Sequence, residues 1–269
     1  SLKRNNIMTN LASVILRLPL KISQLFNFNQ KKINNKFKLF KVHFDHDQNF
    51  VNNFNLIDDF KRIPYRTNFI LSAMNLAFLG YYAAGKVYPY KNLYHWVDGL
   101  WAEKYTQLRK KPGRDLVRDI KIPDSIKNIM VIGNLTNKTK KYLLKKFNKP
   151  ILNTVLPYAS INEMKKIKIN IPNNALTFIT LPTPKQEQLA FHLSKKKKKF
   201  KIICIGASLA IASGEERRVP NFLKKYEFIW RLRTDTIRRI IRLVESLYYY
   251  TKGKWFLNKY AKTSFKIID

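Results

Sequence analysis

The chain has 269 residues, 45% of them hydrophobic, which is enough to bury a genuine core and excludes a disordered protein. Lys and Arg number 52 against 17 Asp and Glu, a formal charge of +35, so an anionic partner is expected: nucleic acid, an anionic membrane or a phosphorylated substrate. Usage rich in Lys, Asn, Ile, Phe and Tyr is also what an AT-rich genome imposes, and the single cysteine, Cys204, excludes an intrachain disulfide or a cysteine-rich zinc site.

Residues 1–40 are basic and Asn-rich and read as an N-terminal appendage. The apolar patch "LASVILRLPLKISQLF" within them is broken by Arg17, Pro19 and Lys21, well short of a membrane-spanning length. No small-residue cleavage pattern follows it, so the expectation is a cytoplasmic chain. "HFDHDQ", His43 to Gln48, contains an Asp-X-Asp of the kind that binds divalent metals through hard oxygens. It precedes the main pattern and reads as a polar loop, so no metal site is expected.

Residues 41–229 read as an α/β domain. From about residue 66, short apolar strands alternate with helical stretches, as in a parallel sheet with crossover helices. "NFILSAM" precedes "NLAFLGYYAAGK", "NIMVIGN" precedes "KTKKYLLKKF", and "ILNTVLP" precedes "INEMKKI". "ALTFITL" then precedes "KQEQLAFHLSKK", and "FKIICIGAS" closes the series, with Cys204 as a buried small hydrophobe. The fold class is α/β, a Rossmann-like, mostly parallel sheet flanked by helices. The run Lys195 to Lys199 reads as a solvated helix end.

Pro220 suits the first turn of a helix, so "SGEERRV" is the loop leading to it, beyond the carboxyl end of the "IICIGA" strand. Ligands of open α/β sheets bind at that edge. Residues 230–269 read as a basic amphipathic tail. Ile237, Ile240, Ile241, Val244, Leu247 and Tyr248 fall on one helical face, flanked by Arg238, Arg239 and Arg242. Two readings remain open: a helix docked on its own core, or an interfacial membrane helix whose arginines meet lipid phosphates. On the second, Trp230, Tyr248, Tyr249, Tyr250 and Trp255 seek the interface, and removing residues 235–269 weakens binding to anionic vesicles while leaving the sheet domain folded.

Five ordered segments carry a family resemblance: "VDG" at Asp98, "PGRDL" at Pro112, "PTPKQE" at Pro182, "IGASLAIASG" at Ile205 and "RRVP" at Arg217. Together they resemble the WecG/TagA/CpsF glycosyltransferases over roughly residues 67–242. The resemblance implies inverting transfer of a sugar, typically N-acetylmannosamine from UDP, to a polyprenyl-diphosphate-linked acceptor. It implies a place in bacterial cell-surface polysaccharide synthesis, at the inner face of the membrane, with no metal or other cofactor.

By that resemblance Asp98 is the base that deprotonates the acceptor hydroxyl. Asn75, Gln186 and Glu187 would bind the donor, and Arg109, Lys110 or Arg114 its diphosphate, whose negative charge grows as the glycosidic bond breaks. Lys110 stands where the family has arginine. Arg217 and Arg218 would meet the acceptor diphosphate, held by Glu215 and Glu216 while the site is empty, and Arg238, Arg239 and Arg242 would face the membrane. The partners implied are a UDP-sugar, the lipid-linked acceptor and an anionic membrane surface, with a homo-oligomer also compatible. Two departures bear on the donor: Ala210 replaces the family's aspartate and Pro182 stands in a glycine-rich turn. The alternatives are a basic nucleic-acid-binding protein, which lacks any recognisable reading motif, and a family relative without turnover.

Overall fold

The computed structural model describes residues 53–87, 92–215, 244–245, 247–255 and 264–267. The expectations for the N-terminal appendage, for His43 to Gln48 and for a helix opening at Pro220 lie outside them. The described residues all fall in one compact unit, Asn49–Asp269.

Among the described residues eight strands form one sheet: β1 (Asn53–Leu56), β2 (Phe69–Met74), β3 (Leu93–Val97), β4 (Asn128–Ile132), β5 (Ile151–Thr154), β6 (Ala175–Ile179), β7 (Lys201–Cys204) and β8 (Ser264–Ile267). Their order is β5-β4-β6-β7-β2-β3-β1-β8, and every pairing is parallel. The helices are α1 (Leu76–Ala83), α2 (Leu100–Thr106), α3 (Gly113–Asp119), α4 (Asn137–Phe147), α5 (Ile161–Met164), α6 (Lys185–Lys196) and α7 (Ser208–Ala212). The α/β, Rossmann-like reading therefore holds.

The strands form where the sequence runs apolar. β6 is buried at all five positions, as a parallel strand covered on both faces must be. Helix starts carry their own caps: the Asn75 side chain accepts from the Phe78 N–H at α1, and Thr136 accepts from the Thr139 N–H at α4. The lysine run falls as expected, with α6 ending at Lys196 and Lys198 and Lys199 exposed.

One face of the sheet, through Phe69, Trp96, Val131 and Phe178, packs in a single core with Leu116 of α3, Leu143 of α4 and Leu209 of α7. The alternate positions of the same strands point the other way. There the His95 ring meets Phe78 of α1 edge-on at 4.6 Å, and Ser72 reaches α6. Cys204 is buried, as its sequence context implies.

Of the two readings of the tail, its described part follows the docked one. Residues 247–255 are helical and lie against α1 so closely that a Cβ at Gly80 would overlap the Tyr249 carbonyl, and one at Gly253 would overlap the Leu76 carbonyl. Tyr249 is 2% exposed, stacked on Tyr81 with ring centroids 3.7 Å apart, so it is core rather than an interface-seeking aromatic. Residues 264–267 add β8 to the sheet beside β1. The sheet domain is thus not complete without residues 235–269, because apolar burial and ladder bonds from that span are part of it. Arg238, Arg239 and Arg242 lie outside the described residues. Among the described residues no helix is long and apolar enough to cross a membrane.

Candidate active site

Because every strand runs the same way, all their carboxyl ends reach one edge, and the loops leaving that edge hold four of the five motif segments. Met74 pairs with Val97 in the β2–β3 register, so the next residues, Asn75 and Asp98, leave neighbouring strands side by side. The Asp98 N–H donates to the Met74 carbonyl at 3.0 Å, which keeps the two strand ends together. On the other side of β2, Ser72 pairs with Cys204, and Ile179 of β6 also pairs with Cys204. The ends of β3, β2, β7 and β6 are therefore consecutive along the rim.

The segment after β3 folds back onto it. The Lys111 N–H donates to the Val97 carbonyl at 2.8 Å, and the Lys111 side chain donates to the Asp58 carbonyl and lies 5.0 Å above the Phe60 ring. Lys111 is thus committed to holding its loop. Arg109 and Lys110 are exposed, and the Lys110 N–H donates to Glu103 of α2 at 3.0 Å. Arg114 is half-buried in the first turn of α3, and its guanidinium makes no ion pair among the described residues. Gly113 sits at a close approach: a Cβ there would overlap the Ser208 hydroxyl and lie 3.1 Å from the Ser208 Cβ, so α3 starts directly against the start of α7 and a larger residue requires the Ser208 side chain to move. That contact joins the "PGRDL" segment to the "IGAS" turn.

Gln186 and Glu187 sit differently from the exposed ligands that a helix start suggests. They are 4% and 0% exposed. Gln186 donates to Thr183 Oγ1 at 3.0 Å and to Glu187 Oε1 at 2.8 Å, and its carbonyl oxygen accepts the Gly206 N–H at 3.1 Å. Both donor hydrogens of the amide are thereby spent, and one acceptor lone pair remains for a ligand. Glu187 Oε1 also accepts from Ser72 Oγ at 2.7 Å and Thr183 Oγ1 at 3.2 Å. Burial raises the Glu187 carboxyl above the ordinary glutamate range, against the opposing pull of its Ser72 and Gln186 donors. On the same face, burial drives the His95 imidazole down to about 3, only partly offset by its contact with the Ser72 carbonyl, so His95 is neutral near pH 7.

Asn75 spends its oxygen on capping α1, which leaves the amide nitrogen as the group able to donate to a ligand. Glu215 is bound by Thr139 Oγ1 at 2.7 Å and by Thr136 Oγ1, while Lys138 donates to the Gly214 carbonyl at 2.8 Å. Its partners among the described residues are hydroxyls at the start of α4; Glu216, Arg217 and Arg218 lie outside the described residues. Ala210 is half-buried on α7 and Pro182 exposed after β6. Among the described residues no group of three or more His, Cys, Asp or Glu is placed to hold a metal ion.

Sequence reasoning missed Ser72, Thr183 and the Gly206 N–H as members of this assembly. Ser72 had a signal, being the one hydroxyl inside the buried run "FILSAM".

Two comparisons bear on identity. The family described as "Glycosyl transferase WecG/TagA/CpsF family" matches residues 126–259, a span that takes in β4 to β7 and the "PTPKQE", "IGASLAIASG" and "RRVP" segments. Asn75, Asp98 and Arg114 precede the matched span but share its sheet and rim. No curated protein matches the chain. With the matched span supplying half of an all-parallel sheet and the loops at its ligand edge, the chain carries a domain of the WecG/TagA/CpsF glycosyltransferase family, whose members act in cell-surface polysaccharide synthesis.

Proposed function

We propose that this chain transfers a sugar, of the N-acetylmannosamine type, from a UDP donor to a polyprenyl-diphosphate-linked acceptor, with inversion and without a metal ion. The supporting observation is the side-by-side exit of Asn75 and Asp98 from β2 and β3, on the rim that also carries the family's "PTPKQE" and "IGAS" turns. Asp98 takes the proton of the acceptor hydroxyl as the new glycosidic bond forms, and UDP leaves from the opposite face of the sugar. The Asn75 amide nitrogen orients the donor. Arg114 is assigned the leaving diphosphate, since of the three candidate cations it alone is half-buried at the rim. The remaining lone pair of the Gln186 oxygen accepts from the donor.

A polyprenyl acceptor also requires the enzyme to reach a lipid surface from the inner side of the membrane, and the large cationic excess favours anionic headgroups. Arg217, Arg218, Arg238, Arg239 and Arg242 are the cations proposed for the acceptor diphosphate and that surface.

The test is a UDP titration and a transfer assay on the full chain with a polyprenyl-diphosphate-linked acceptor, run with and without chelator. Wild type should bind UDP and turn over equally in both. Asp98→Asn should lose on the order of 100- to 10,000-fold in transfer while UDP affinity stays within about threefold. Undiminished transfer by that variant would remove Asp98 from the mechanism. Absence of UDP binding, with steeply salt-dependent DNA binding in its place, would replace the transferase reading with a nucleic-acid-binding one.

A further inference from the structure

Three donors from two separate parts of the chain converge on one oxygen of a carboxyl group buried away from the surface. Glu187 is 0% exposed, and its Oε1 gathers Ser72 from β2, Thr183 from the loop after β6, and Gln186 beside it. Gln186 carries the connection to the turn after β7 through the Gly206 N–H. Glu187 Oε2 is buried with no hydrogen-bond partner. A glutamate in the first turn of a helix ordinarily stabilises it from solvent, through the helix dipole. Taking it wholly out of water costs several kcal/mol unless a cation compensates. The titratable groups facing it are Cys204 from β7 and Tyr81 from α1, both acids themselves raised by burial, and neither is a cation.

An apolar side chain would fill this position at lower cost but would hold none of the three donors. Each donor belongs to a segment that leads to the rim. Ser72 lies three residues before Asn75 and pairs in register with His95, three residues before Asp98. Thr183 and Gly206 lie in the turns that follow β6 and β7. We propose that Glu187 is a positioning residue of the transfer site: it fixes the Gln186 amide and so holds the turns after β6 and β7 in place beside Asn75 and Asp98. The carboxyl does this as the neutral acid, Oε1 accepting and Oε2 carrying the proton.

This inference rests on the transferase reading, so its test has one arm that needs no turnover. Full-length wild type, Glu187→Gln and Glu187→Ala are compared by transfer kinetics, by UDP titration and by Tm at several pH values between about 5.5 and 8.5. Glutamine keeps a neutral acceptor at Oε1, so its kcat/KM should stay within about threefold of wild type, whereas alanine should lose tenfold or more through displaced turns. A carboxyl raised by folding contributes stability that is complete below its unfolded pKa and is lost as pH rises through the folded value. Glutamine cannot ionise, so its Tm should gain on wild type steadily as pH rises; the His95 titration is common to both chains and cancels.

Alanine with wild-type kcat/KM, or glutamine as damaged as alanine, would overturn the proposal. Should alanine fail to fold, Ser72→Ala and Thr183→Val each remove a single donor; losses of about threefold to tenfold support the brace and wild-type rates in both refute it. If wild type neither binds UDP nor transfers, the transferase reading falls. The Tm comparison then judges the brace alone, and a pH-independent difference would sink it.

Discussion

The two halves of the sheet are closed in different ways. In β5-β4-β6-β7 the strands β4, β5 and β6 are each followed by a helix and then by another strand of the same half. Among the described residues no further strand pairs with its outer strand β5, where Leu152 and the following Val155 are exposed. In β2-β3-β1-β8 the outer strand comes from residues 264–267, and α1 is covered by residues 247–255 through the Gly80 and Gly253 contacts. The first half is locally encoded, whereas the second depends on chain far away in sequence. The proposed base and donor-orienting amide belong to the second half and Gln186 and Glu187 to the first, so the site lies on the seam where β7 meets β2.

The most severe way to break this difference is to delete residues 244–269. The truncated chain loses Tyr249 from its core and β8 from its edge, and its Tm should fall by more than about 10 °C or the protein should fail to fold. A truncated chain melting at the wild-type temperature would mean that the second half closes by itself. Gly80→Val tests the same seat more gently. The added carbons meet the Tyr249 carbonyl, so a loss of about 1–3 kcal/mol is expected in denaturant unfolding, and no change would show that the helix does not sit there. The smallest effect belongs to the β5 edge. Leu152→Lys on β5 should stay within about 0.5 kcal/mol of wild type, and a larger loss would reveal that this edge is covered in solution.

The same contrast explains what could be read from the sequence. β4, β6 and β7 announce themselves as "NIMVI", "ALTFI" and "KIIC", runs in which burial on both faces removes any alternation with polar residues. β1 and β8, "NFNL" and "SFKI", are four residues long and half polar, and only their partner strands make them strands. The tail offered two readings because an amphipathic face looks the same whether it meets lipid or α1; Tyr249 and Gly253 decide for α1 over the residues described. In the site, Asn75 and Asp98 were legible as strand-end residues. Glu187 was legible as a residue type but not as a buried one, because Pro-Lys-Gln-Glu at a helix start ordinarily faces water. Its burial is set by Ser72, more than a hundred residues earlier in the chain.

The pairing of Phe54 with Phe265 also sets an order of events during synthesis. A β-ladder between such distant residues belongs to the slow, high-contact-order class, and its second strand leaves the ribosome only after β2 to β7 have emerged. Until then β1 presents an unpaired edge on the nascent chain. A chaperone that shields extended apolar segments would find its substrate there, and would be displaced when residues 264–267 arrive to take its place.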